Sequence, residues 1–580
     1  MSHAVHAQKK KRAKKTTKQV IAPRKKKQVK KVIPKVATRT ALISIPKQGN
    51  NLNTAFNTTS ATDTGGNRTV VITSSFKPSL QYAAKINFTA ASAITDSSKL
   101  LLNYKIPSSN LFFSYQPIPV SPLAMPVDSA LPWKNNHRLK LGAGNFSGFL
   151  AEGRFSFGDG KQSITTLKGD FLHASSPRFA QQTHRFGVDI TSLLNTANNL
   201  EFTTHAYFNT NTMYRYGYQP ETLVYSKDQL LLVYNSVGIE TAVKNKTTTP
   251  AGINYNPSIA YYRFTNNTSS SENNMVLKLP MEKIFTKIFL FKLALTADLA
   301  GLKTPIANIN NHLFVVNPAI VFNTPNVKIN LGIKPGWDNT NYKMLPDIRI
   351  ESAIPSTALS VELGWVGNFV KNGFRSIAAF NPWIGNLNTM ANTSITEQFI
   401  GLKGGKANHL SFNGKFAYQQ INNQFLFLNE AGDGKNFTTI FEPELKTIKL
   451  TGELNYAVQD NFSVLVSAAF TQFNQLSKET HAWGLVPFEA TAGMHWKALN
   501  DLQVKADLFY RTGSLYRDAA FQAKRLSPAI DMNLGLEFSL QPKLNLWLQM
   551  NNLFNNIYQR WNQYPVFGFN VMGGVVYSFQ

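Results

Sequence analysis

The chain has 580 residues, with 60 Lys and Arg against 32 Asp and Glu, a formal net charge of +28 and no cysteine. Without cysteine there is neither a disulfide framework nor a Cys-based metal site, and no stretch approaches the roughly 20 apolar residues that a membrane-spanning helix needs. A slightly negative mean hydropathy coexists with 41 Phe, 20 Tyr and 8 Trp, a combination that suits half-apolar, half-polar strands.

At the N-terminus, residues 1–8 read as the remnant of a signal peptide cut near Ala7/Gln8, because Val5 and Ala7 are small residues at the spacing a signal peptidase requires. The alternative is a chance small-x-small triplet in a basic tail. Residues 1–62 carry 16 Lys and Arg and no Asp or Glu. Within them, residues 9–50 form a Lys-rich tail with too little apolar content to bury, so disorder is expected. This tail could hold anionic surfaces or serve as a solvated linker. Nucleic acid is an unlikely partner by composition, since no aromatic interleaves with the lysines to stack bases.

Residues 51–133 are rich in Ser, Thr, Asn, Ala and Pro, with short extended candidates at Thr69–Thr73 and Leu100–Ile106, and read as an irregular periplasmic or partly lumenal segment. From residue 134 to 580 the texture becomes alternation at period two, the pattern of strands with one face in lipid and the other in a wet lumen. In Phe149 to Phe157 the odd positions are apolar or small while Glu152, Arg154 and Ser156 point the other way. Phe289, Phe291, Leu293, Leu295, Ala297 and Leu299 alternate within the stretch Ile284–Ala300, which therefore reads as a strand and not a helix. Ile448, Leu450, Leu454, Tyr456 and Val458 oppose Lys449, Thr451, Glu453 and Asn455, and a Gln459-Asp460-Asn461 turn leads to Phe462, Val464, Val466, Ala468 and Phe470. Further hairpins follow at Leu502 to Arg511, with Lys505 and Asp507 on the polar face, and at Met532–Leu540 against Leu544–Met550. The expected fold is an all-β transmembrane antiparallel barrel of about 14 to 18 strands, at about 25 to 30 residues per strand with its connections. Its first strand must meet its last, because backbone groups cannot stay unpaired in hydrocarbon. Trp483, Trp496, Trp547 and Trp561 are candidates for interfacial aromatic girdles.

The stretch Asn551-Asn552-Leu553-Phe554-Asn555-Asn556-Ile557-Tyr558, followed by Tyr564-Pro565 and the closing Tyr577-Ser578-Phe579, resembles the C-terminal end of TonB-dependent receptors, particularly those of Bacteroidota. Phe76-Lys77-Pro78, Lys140-Leu141-Gly142-Ala143-Gly144, Phe380 to Trp383 and Glu397-Gln398 are similar to a plug-lacking subgroup of receptor-like barrels. The resemblance implies an outer-membrane barrel whose last strand, through Tyr577 and Phe579, is read by the barrel assembly machinery. It implies a role in transport or as a receptor for a solute. TonB itself is a doubtful partner, because neither a glycine-rich plug nor a TonB box is apparent.

No zinc-protease, phosphate-loop or nucleophile-elbow motif is present. No catalytic, cofactor or metal residue is assigned, and the chain is read as a non-enzyme. Lumen-facing candidates are Glu152, Arg154, Lys449, Glu453, Lys505 and Asp507. Expected partners are outer-membrane lipid and lipopolysaccharide, the barrel assembly machinery, and a surface lipoprotein or periplasmic partner. The rival expectation is a non-conducting structural or assembly barrel that docks such partners.

Overall fold

The computed structural model describes residues 136–406, 409–458 and 461–579. The signal-peptide remnant, the Lys-rich tail and the whole of the 51–133 segment lie outside these residues. Strand alternation in the sequence becomes one antiparallel sheet in which each strand pairs with its neighbour in the chain, from His137–Gly144 onward. The last strand, Asn570–Phe579, pairs with the first through eight register positions, from His137 opposite Phe579 to Gly144 opposite Met572. The sheet is thus closed, which removes both edges.

Ile253–Tyr255 and Ser258–Asn266 are one strand interrupted around Pro257, since both pair with Ser271–Ile284. Counted that way the barrel has 22 strands, not 14 to 18. The reason lies in the connections. Those at the end of the barrel that holds the C-terminus are only two to seven residues long, as at 542–543 and 246–252, so less chain is used per strand than expected. Ile284–Ala300 also divides: Ile284 ends one strand, and after a turn the next runs Phe289–Lys303.

At the opposite, far end several connections are much longer, with 371–392, 552–569, 512–528 and 215–230 the longest. Short turns at one end and long loops at the other are the usual asymmetry of outer-membrane barrels.

Outward positions are exposed and apolar in row after row. Leu450 is 54% exposed, and its cross-strand partners Phe416 and Phe470 are 50% and 43% exposed. Trp496 also faces outward, as a girdle residue should, but Trp483, Trp547 and Trp561 are buried. They serve packing, not an interface with lipid. Trp547 lies against the closing seam: its indole Nε1 donates to the carbonyl of Leu141 at 3.0 Å, and a Cβ on Gly142 would come within 2.1 Å of its ring. Glycine at 142 therefore lets the indole sit flat on the first strand.

Candidate functional site: the inner wall and the far mouth

The six charged residues singled out from the sequence all lie on the strand face opposite the exposed apolar rows, and they fall into two groups. Glu152, Arg154, Lys505 and Asp507 sit near the seam. Lys140 Nζ approaches Glu152 at 4.0 Å, Arg154 is placed in register between Arg138 and Lys168, and Arg138 pairs with Glu537 at 3.2 Å. Lys505 and Asp507 share a face on Leu502–Arg511, with Asp507 buried opposite Asn533. Lys449 and Glu453 belong to a second group on Phe437–Val458, where Lys449 is only 3% exposed.

That second group continues through residues the sequence reading passed over. Lys403 lies between two carboxylates that face each other across adjacent strands, 2.7 Å from Glu362 and 3.5 Å from Glu351. Lys415 pairs with Glu397 at 2.8 Å, and Gln419 donates to the same carboxylate. Asp347 is approached by Lys334 at 3.7 Å and by Arg349 at 3.2 Å. The signal was available: Asp347, Arg349 and Glu351 alternate with Ile348 and Ile350, as Lys449 alternates with Leu450. Charges placed this close neutralise one another locally and hold their side chains against the wall.

At the far mouth the chemistry is different. The 371–392 connection contains a short helix, Phe374–Phe380, and folds inward. Its root is tied to the wall by amides and charges. Lys371 pairs with Asp298 at 3.4 Å, Asn311 donates to the carbonyl of Asn372 and to Asn392 Oδ1, and Asn392 donates to Asp338 at 2.7 Å. Glu272, fully buried on the barrel wall, accepts the backbone N–H of Arg375 at 2.8 Å and so caps the helix from outside its own segment.

Beyond this root, Phe374, Ile377, Ile384, Leu387 and Met390 join Leu232, Tyr234, Phe264, Phe425, Phe427, Phe437, Trp561 and Tyr564 in one buried cluster. Trp383 stacks on Tyr564 with ring centroids 3.8 Å apart, and the Arg560 guanidinium lies 4.5 Å from the centre of the Trp561 ring. The Asn-rich stretch that ends the penultimate strand sets the 552–569 loop on its path. Asn552 adopts φ +63°, a left-handed conformation that Asn tolerates, and Asn551 donates to Asn570 at 3.1 Å.

Asp433 joins two far-end loops: it accepts from the Tyr225 hydroxyl at 2.5 Å and from the Lys435 ammonium. Partial burial pushes its carboxyl up, but the bonds from Lys435 and Tyr225 outweigh this and hold it below the usual aspartate range.

No protein-family model matches this sequence, and no curated protein matches it. The fold, however, is shared with solved barrels. The FrpB iron transporter from Neisseria meningitidis matches with a TM-score of 0.59 at 10% identity, over 77% of this chain and 82% of its own. The siderophore receptor PiuA from Acinetobacter baumannii matches with a TM-score of 0.58 at 10% identity, over 77% and 82%. The pyoverdine outer membrane receptor FpvA from Pseudomonas aeruginosa, bound to pyoverdine, matches with a TM-score of 0.59 at 10% identity, over 77% and 79%. These likenesses concern the barrel fold alone.

Among the described residues no group of three or more His, Asp or Glu is placed to hold a metal ion.

Proposed function

We propose that this protein is an outer-membrane β-barrel with a transport or receptor role, its long-looped end outside the cell and its short turns in the periplasm. The observation that carries the reading is the closed 22-stranded sheet that is apolar outside and charged inside. A soluble protein has no reason to expose Phe416, Leu450 and Phe470 as a continuous band, whereas hydrocarbon demands it. Glu152, Arg154, Lys449, Glu453, Lys505 and Asp507, together with Glu362, Lys403 and Glu397, then line the lumen. Residues 51–133 act as a partial occluder, the Lys-rich tail meets anionic surfaces in the periplasm, and Tyr577 and Phe579 carry the assembly signal.

Two experiments test this. Outer-membrane fractionation combined with electrophoretic mobility before and after boiling should show a heat-modifiable band in the outer-membrane fraction; a soluble protein of unchanged mobility refutes the barrel. A deletion strain should then be grown under limitation of single nutrients. Iron comes first, because an iron transporter and siderophore receptors share this barrel. A defect on one nutrient, cured by supplying it in excess, supports uptake. Detergent sensitivity on every medium, cured by none, favours the structural alternative.

A further inference from the structure

A circular barrel of 22 strands, spaced about 4.8 Å apart and tilted about 40°, has a backbone diameter of roughly 40 Å. The far mouth does not have that span. Counted around the closed sheet, Leu200–Tyr214 is the fifth strand and Phe437–Val458 the sixteenth, eleven steps apart in either direction and hence diametrically opposite. Yet Trp383 reaches both. Its indole Nε1 donates to the carbonyl of Tyr214 at 3.0 Å, and its own carbonyl accepts from the N–H of Phe437 at 2.9 Å. Its ring stacks on Tyr564, from the loop that joins the last two strands. Three sectors of the circumference are thus tied together through one residue, so the loops and strand tip that meet there cross the mouth.

The fifteenth and sixteenth strands supply the rest of the cover. They are the two longest, at 20 and 22 residues, well beyond the roughly 10 residues that cross a bilayer. Their ladder is interrupted where Asn423, at φ +58°, lies opposite Pro443, which has no N–H to donate. Past this point the fifteenth strand is buried on both faces, from Gln424 to Leu428. Phe425 and Phe427 join the aromatic cluster, while Leu426 and Leu428 pack against Trp483 with Leu485 and Leu515 alongside. A strand tip buried on both faces has turned from the wall and lies within a two-layered cover. The cover is latched at its margins, where Asp433 meets Tyr225, Asn562 donates to Asn429 at 3.1 Å, and the Tyr564 hydroxyl donates to the carbonyl of Lys435.

We propose that the far mouth is a gate closed by the barrel's own loops, with Trp383 as its central latch and Asn423/Pro443 as the hinge of its largest leaf. This rests on the outward orientation of the far end proposed above. Solute entering from outside must part the Trp383–Tyr564 stack before it reaches the charged wall.

The absence of native cysteine makes single-cysteine labelling of the full-length protein in intact cells the direct test, with a membrane-impermeant maleimide too large for general porins. Val224→Cys, on a far-end loop where Val224 is 94% exposed, should label rapidly. Glu453→Cys, near the opposite end of its strand, should be protected in the unaltered protein. Adding Trp383→Ala should raise its labelling rate at least tenfold, whereas Trp383→Phe should leave most of the protection. Should Trp383→Ala not reach the outer membrane, Tyr225→Phe with Asp433→Asn loosens the margin and should raise the rate several-fold. Labelling of Glu453→Cys as fast as Val224→Cys behind an intact cover overturns the gate. So does protection that persists in both loosened variants, because the closure would then lie deeper. Failure of Val224→Cys to label in cells, with normal labelling in lysate, overturns the orientation and the gate with it.

Discussion

The sidedness of the wall can be tested at one pair of adjacent residues. Leu450 is 54% exposed on the outer face, and its neighbour Thr451 lies on the inner face beside Lys415. The outward row from Ile448 to Tyr456 covers roughly 19 Å along the bilayer normal at a strand rise of about 3.3 Å and a tilt of about 45°, which puts Leu450 about 5 Å from its middle. An arginine there faces hydrocarbon near its centre and should cost about 2 to 4 kcal/mol, about 30- to 800-fold in the folding equilibrium. Thr451→Arg at the same depth faces the interior and should cost no more than about 1 kcal/mol. Both are measured by urea unfolding in lipid vesicles, with heat-modifiable mobility as the signal for folded barrel. Equal losses in the two variants would refute the assignment of inside and outside, and with it the lumenal reading of Lys449 and Glu453.

Four further outcomes are expected. Lys403→Met strands Glu362 and Glu351 opposite each other and should destabilise the barrel by about 3 kcal/mol, with much of that recovered in the Lys403→Met/Glu362→Gln double variant; the same unfolding assay reads it. Trp547→Ala should cost about 3 kcal/mol through lost packing at the seam, and Gly142→Val should be more damaging still because a side chain at 142 meets the indole; folded yield reports both. The Asp433 carboxyl is held below its ordinary range, so its contribution is fully present above the unfolded value of about 3.9 and lost as pH falls through the lower folded one. The labelling rate of Glu453→Cys relative to that of Val224→Cys in purified protein, a ratio that cancels the loss of reactive thiolate in acid, should thus be unchanged between pH 7 and 5 and rise only in more acid buffer, a rise absent in Asp433→Asn. Phe579→Ala should lower the amount of barrel in the outer membrane without altering the stability of the fraction that assembles, measured by comparing yield with unfolding midpoint.

The local pattern was legible residue by residue. Alternation in Phe149–Gly158 and Leu502–Arg511 depends only on where successive side chains point along an extended chain, and these strands stand within a residue of their expected bounds. Closure followed from the same physics, since an unpaired edge is not tolerated in lipid. Strand number did not follow, because alternation reveals faces and not the economy of turns such as 542–543. Nor did the fate of Trp483, Trp547 and Trp561: an aromatic on a strand or in a loop has the same local signature whether it meets headgroups, the closing seam or the inside of a loop cluster.

Sequence by itself thus determined the closed amphipathic wall and the polarity of its two faces, because period two is written into consecutive residues. Only tertiary structure decided what stands over the mouth. Trp383 is brought to Tyr214, Phe437 and Tyr564 by the curvature of a closed sheet, and their separation along the chain carries no trace of the meeting. The same holds for Glu272, which caps a helix a hundred residues downstream because the barrel wraps the two together.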